Sequence, residues 1–138
     1  MENYRELIKY LDIFTDETFG RWVIDSRGDG TPKNPYHFSH VRYSDAVNDF
    51  VRDVHDSADH IGIDDYIEIL NKREIEFGID SMSGADVDEL SSVEICALLL
   101  AAVRAERFYD GALLSFFENG SIQKWLKELK MRTDQDNT

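Results

Sequence analysis

The sequence is short of positive charge, nearly free of cysteine and without a long apolar run. Its 138 residues hold 15 lysines and arginines against 28 aspartates and glutamates, a formal charge of -13. Nucleic acids and anionic membranes are bound through clustered cationic side chains, so this deficit argues against direct binding to either. Cys96 is the single cysteine. It excludes an intrachain disulfide and any site built from several thiolates. No stretch approaches the roughly 18 apolar residues that a spanning helix needs. The opening residues, MENYRELIKY, lack the basic-then-apolar layout of a secretory leader. These absences lead us to expect a soluble, cytoplasmic chain.

What is present is enough for a core. Hydrophobic residues make up 42% and aromatics 12% of the chain, too much apolar surface for wholesale disorder. The length supports one domain. We expect a single globular α-helical domain over residues 1–131 and a frayed tail over 132–138. The charge is unevenly spread. Residues 1–44 hold seven acids and six bases, residues 45–90 fourteen acids and three bases, and residues 91–138 seven acids and six bases. Nearly all the excess negative charge therefore sits in the middle third.

Apolar periodicity predicts a mainly α fold of five or six helices. A first helix spans about 3–14, with Leu7, Ile8 and Leu11 at helical spacing. Residues 19–24 and 37–43 read as two short extended segments, a β-hairpin near 19–43 joined by a turn-rich loop from Asp25 to Pro35. Ser44 or Asp45 caps a helix reaching about His60 and ending near Gly62. Its Val47, Phe50, Val51, Val54, Ala58 and Ile61 share one face, and Asp45, Asp49, Asp53, Asp56 and Asp59 gather on the other. Asp64 and Asp65 open a shorter helix that stops before Gly78, and 81–90 is expected to be a connector with a turn of helix. Ser91 and Glu94 form a capping-box signature for a helix over about 92–108, apolar nearly all round and therefore central. A short helix over 112–117 and a last one capped by Ser121, with Ile122, Trp125, Leu126 and Leu129 inward, complete the domain.

The residues Arg104-Ala105-Glu106-Arg107-Phe108-Tyr109-Asp110-Gly111-Ala112-Leu113 are followed by Glu118-Asn119-Gly120-Ser121-Ile122 and Trp125-Leu126-Lys127. This pattern resembles the C-terminal signature of a bacterial family of small proteins of unknown function. Members pair it with an earlier stretch like Asp29-Gly30, Pro35-Tyr36 and Tyr43-Ser44-Asp45-Ala46-Val47 with Phe50. The resemblance covers about residues 20–130, with a departure at Gly62-Ile63-Asp64-Asp65-Tyr66, where members carry an aromatic-rich segment. It implies a compact intracellular domain and brings no activity with it.

Three groups of residues could carry chemistry. Arg104 and Arg107 lie three apart on one helical face with Asp110 a turn further on, and two guanidinium groups can clamp a phosphate or carboxylate. The plainer reading pairs the arginines with Asp110 or Glu106 to tie down the helix end. His37 and His40 have H-x-x-H spacing, with His55 and His60 on the next helix. No glutamate or cysteine accompanies them in a metal-ligand pattern, and His55 and His60 point about 140° apart. We expect no metal site and no cofactor. Arg27-Gly28-Asp29 and Asn119-Gly120-Ser121 match an adhesion tripeptide and a glycosylation sequon, roles that an acidic chain expected to be cytoplasmic gives no reason to invoke. Cys96, inside the most apolar helix, reads as inert core.

The acidic stripe is the sharper signal. Asp45, Asp49, Asp53 and Asp56 cover about 16 Å of helix. Their carboxylates lie roughly 5–6 Å apart, against about 3.4 Å per phosphate on each strand of a duplex. Like charges four apart also cost helix stability. A solvated face that keeps the chain soluble is the plainer account. From these features we expect a non-enzymatic protein-binding or regulatory module whose acidic face, Asp45, Asp49, Asp53, Asp56 and Asp59, meets a basic partner. Its sharpest form is a nucleic-acid mimic inhibiting a DNA- or RNA-processing protein, by analogy with phage counter-defence proteins. The alternative is a small-molecule-binding protein or enzyme with an anion site at Arg104, Arg107 and Asp110, with His37 alongside.

Overall fold

The structure, a computed structural model, describes residues 4–14, 19–23 and 40–136. Its core grows outward from one helix. Helix α6 (Ser92–Ala105) carries Ile95 to Val103 with every side chain buried, because no face of it offers a polar stripe to water. Ser91 accepts the Glu94 N–H while the Glu94 carboxylate accepts the Ser91 N–H, so the anticipated capping box closes the helix start. Arg73 then donates to the other Glu94 oxygen.

The elements that cover α6 come from both sides of it in sequence. Before it run α1 (Arg5–Ile8), α2 (Tyr10–Ile13), the strands β1 (Gly20–Val23) and β2 (His40–Tyr43), α3 (Asp45–Ile61), α4 (Tyr66–Asn71) and α5 (Ile79–Ser83), with a 3₁₀ turn over Val87–Glu89. After it come α7 (Ala112–Glu118) and α8 (Ser121–Asp136). Helices α3, α4, α7 and α8 all pack on α6, and α1 and α2 lie against α8. The fold is mainly helical with one two-stranded antiparallel sheet, as the periodicity predicts. Its register pairs Gly20 with Tyr43, Arg21 with Arg42, Trp22 with Val41 and Val23 with His40.

One apolar cluster unites these elements, with Phe50, Phe116, Phe117, Trp125 and Leu126 almost fully buried. At roughly 1.5–3 kcal/mol for each large side chain, such burial is the main favourable term. Tyr10, Phe14, Phe19, Phe50 and Phe117 meet with centroids 4.7–5.9 Å apart, mostly edge to face, with Phe19 and Phe117 stacked. Rings from the N-terminal helices, the approach to β1, α3 and α7 are thereby joined.

Four expectations change. The first helix is two single turns interrupted at Lys9. The central helix stops at Ala105, short of the anticipated 108. The connector before Ser91 holds α5 as well as the 3₁₀ turn. Ser121 is the first residue of α8 and is buried, and its N–H is satisfied by the Asn119 side chain at 2.9 Å. Asn119 also donates to Ser83 Oγ at 3.0 Å, pinning that turn to α5. Helix α8 runs on to Asp136, and Arg132 in it donates to the carbonyls of Val87 and Asp88.

Candidate functional site

Helix α3 is set with the acidic face outward by its two ends and its apolar stripe. Ser44 Oγ accepts the Val47 N–H at 3.2 Å, and Gly62, at φ 91°, closes the far end in the left-handed conformation that glycine tolerates. Val47, Phe50, Val54 and Ala58 are buried. Asp45, Asp49, Asp56 and Asp59 are exposed on the opposite side.

Asp53 is different. It sits about 80° around the helix from Asp45, at the edge of the buried stripe, and its side chain is 14% exposed. The Tyr10 hydroxyl donates to its Oδ2 at 2.5 Å and Lys9 Nζ approaches the same oxygen at 3.4 Å. Burial, reinforced by this carboxylate, pushes the Tyr10 phenol well above its ordinary range. Asp53 therefore fastens α3 to the N-terminal turns. Arg52 bridges toward Asp49 at 3.5 Å and Asp53 at 3.7 Å. The outward row is thus Asp45 and Asp49, then Arg52, then Asp56 and Asp59. Among the described residues Asp45, Asp56 and Asp59 enter no ion pair. Beside the far end lies an open cleft of about 330 Å³ lined by Glu6, Asp53, Asp56, Ser57, His60 and Ile61.

The second candidate site does not assemble as a clamp. Arg104 is half-buried with its guanidinium carbon 5.3 Å from the centre of the Tyr66 ring, a cation–π contact, and its Nε is buried without a hydrogen-bond partner among the described residues. Arg107 and Asp110 are exposed. Among the described residues neither arginine pairs with Asp110 or Glu106. Glu106 is the organising residue instead. Its Oε1 accepts the Tyr43 hydroxyl at 2.7 Å and the Leu113 N–H at 3.0 Å, and its Oε2 accepts the Gly111 N–H at 2.9 Å. Tyr43 Oη in turn accepts the Leu114 N–H at 3.0 Å. One carboxylate thus ends α6, caps α7 and anchors the end of β2. Burial first, and the Glu106 carboxylate second, drive the Tyr43 phenol far above its ordinary value. Both residues fall in the blocks that carry the resemblance, but nothing in the linear sequence paired Tyr43 with Glu106.

His37 lies outside the described residues. His55 shares its Nδ1 with the Val51 carbonyl at 2.9 Å, His60 is exposed, and Cys96 is buried in α6. Among the described residues no group of three or more histidines, cysteines or carboxylates is placed to hold a metal. Nor, among the described residues, is any helix long and apolar enough to cross a membrane.

The start of the acidic helix α3 and the carboxylate-pinned turn after α6 fall within the two sequence blocks that the resemblance rests on. A family model extends over both, matching residues 1–135. The chain belongs to DUF6508, a family of unknown function. No curated protein and no solved structure matches it. For this DUF6508 chain, the functional reading therefore rests on its own surface.

Proposed function

We propose that this protein is a non-enzymatic binding or regulatory module whose acidic α3 face receives a basic partner. The observation that carries the reading is the row of exposed carboxylates Asp45, Asp49, Asp56 and Asp59. A well-capped helix holds it opposite a fully packed face. Like charges four apart cost a solvated helix a few tenths of a kcal/mol per pair, offset there only by solubility. A cationic surface converts that cost into attraction and into faster encounter.

In its sharpest form the module imitates a stretch of phosphate backbone and occupies the basic groove of a DNA- or RNA-processing protein. The Asp45–Asp49 step is about 6 Å along the axis, close to two phosphates of one duplex strand at about 3.4 Å each. Arg52, held against Asp49 at 3.5 Å, separates that pair from Asp56 and Asp59 and gives the row a register that a partner must match. Asp53 belongs to the fold and not to this surface.

The experiment compares wild type with an Asp45, Asp49, Asp56 and Asp59 to Asn variant as bait in nuclease-treated lysate of the source organism. A basic nucleic-acid-handling protein held by wild type alone, released by salt and competed by duplex DNA or RNA, is the expected result. Retention of the same partners by both baits, or of none by either, would sink the proposal.

A further inference from the structure

The three exposed aromatic rings among the described residues converge on one turn. Phe108 is 65% and Tyr109 67% exposed, and Trp22, 51% exposed, lies across Gly111 so closely that a Cβ there would overlap its ring. Scattered apolar side chains on a surface are ordinary, but clustered aromatics are the composition of an interface centre. Beside them is a mainly apolar cleft of about 380 Å³ lined by Phe77, Gly78, Ile79, Ala105, Tyr109 and Ala112, with the exposed Asp80 as its one charged residue, and the Phe108 ring lies 5.9 Å from that of Phe77. A knob and a hollow therefore adjoin.

The charges around the rings say what covers them. In sequence Arg107 precedes the aromatic pair and Asp110 follows it, both exposed and neither in an ion pair among the described residues. From Arg104 to Gly111 the turn holds two bases and two acids in a chain of net charge -13. A basic partner gains on α3 and meets Arg107 here as a like charge. A second copy is repelled by the acidic middle third of the chain, residues 45–90, but not by this neutral turn. A two-fold interface uses the same patch on both copies, so an unpaired base and an unpaired acid on one patch can each meet the opposite charge of the other copy.

We infer that the Arg107-Phe108-Tyr109-Asp110 turn is the interface of a weak, reversible homodimer. This holds whether or not the acidic face binds a partner. The patch is small against the roughly 800 Å² per partner of a standard stable interface, so the association belongs in the micromolar-to-millimolar range.

The test is sedimentation velocity on the whole chain in about 0.15 M salt, from about 10 µM to about 1 mM protein. Wild type should move from one-copy toward two-copy mass across that range. A Phe108→Ser, Tyr109→Ser variant should dissociate about tenfold or more readily. Arg107→Asp and Asp110→Arg should each remove the dimer alone, and their equimolar mixture should restore association, because each charge then faces its opposite. Mixing cannot rescue a misfolded chain, which separates loss of the interface from loss of the fold. A wild type that stays single-copy throughout overturns the inference. So does a dimer untouched by either swap, or a mixture no more associated than its components.

Discussion

Replacing Glu106 with alanine should be among the costliest changes outside the apolar core. Its carboxylate accepts from Tyr43 Oη at 2.7 Å, Gly111 N at 2.9 Å and Leu113 N at 3.0 Å. Hydrogen bonds to a charged group are worth about 1.5–3 kcal/mol each. The site is half-buried, so water can reach part of what is vacated, and the three together should be worth about 3–4 kcal/mol. Helix α7 has no capping side chain at Gly111, so Glu106 is also the acceptor and the negative charge at its N-terminus. Against a total stability of about 5–15 kcal/mol this is a large fraction. Glu106→Gln keeps the two bonds to Oε1 but turns an NH₂ toward the Gly111 N–H, donor against donor, and should cost about 1–2 kcal/mol. Urea denaturation with an unchanged m-value measures all of this. A cycle with Tyr43→Phe should show at least about 1 kcal/mol of coupling, since the two residues share a bond. Glu106→Ala within about 1 kcal/mol of wild type, or full additivity with Tyr43→Phe, would refute the role given to this carboxylate.

The aspartates of α3 should separate under mutation. Asp53→Ala should destabilise by about 1.5–3 kcal/mol through its bond to Tyr10, whereas Asp56→Asn should stay within about 0.5 kcal/mol in the same urea assay; equal effects would contradict their assignment. Gly111→Ala combines a φ of 87° with overlap of the Trp22 ring. It should cost about 1–2 kcal/mol and shift Trp22 emission in a Trp125→Phe background, with Trp22→Ala relieving part of the loss. At high pH, Tyr10 and Tyr43 have phenols raised in the fold. The unfolded chain therefore binds fewer protons above the ordinary tyrosine value of about 10. The stability they contribute is fully present below that pH and is lost as pH rises beyond it. Denaturation midpoints should fall above about pH 10 in wild type, and less so in a Tyr10→Phe, Tyr43→Phe variant.

Much of the architecture is legible in residues close together along the chain. The ends of α3 follow from Ser44 and Gly62, its inward face from Val47, Phe50, Val54 and Ala58, and the central place of α6 from an apolar run that no amphipathic surface helix carries. Caps and periodicity act over about four residues, so a linear reading can see them. The interruption at Lys9 has no proline or glycine to announce it, and neither does the end of α6. Glu106 is a good helix former that leaves the helix because three donors, from residues 43, 111 and 113, converge on its carboxylate.

The same division runs through the candidate sites. Composition and spacing place a negative row on one face of α3 by themselves, because helix geometry alone sets which side chains align. Only the tertiary structure distinguishes Asp53 from its neighbours, by bringing up Tyr10 from 43 positions away. It is also what sets Arg104 against Tyr66 and gathers Trp22, from another element, onto the turn of Phe108 and Tyr109. Local sequence determines which elements form and which way they face. The partner of an individual polar side chain depends on which distant segments the core draws together.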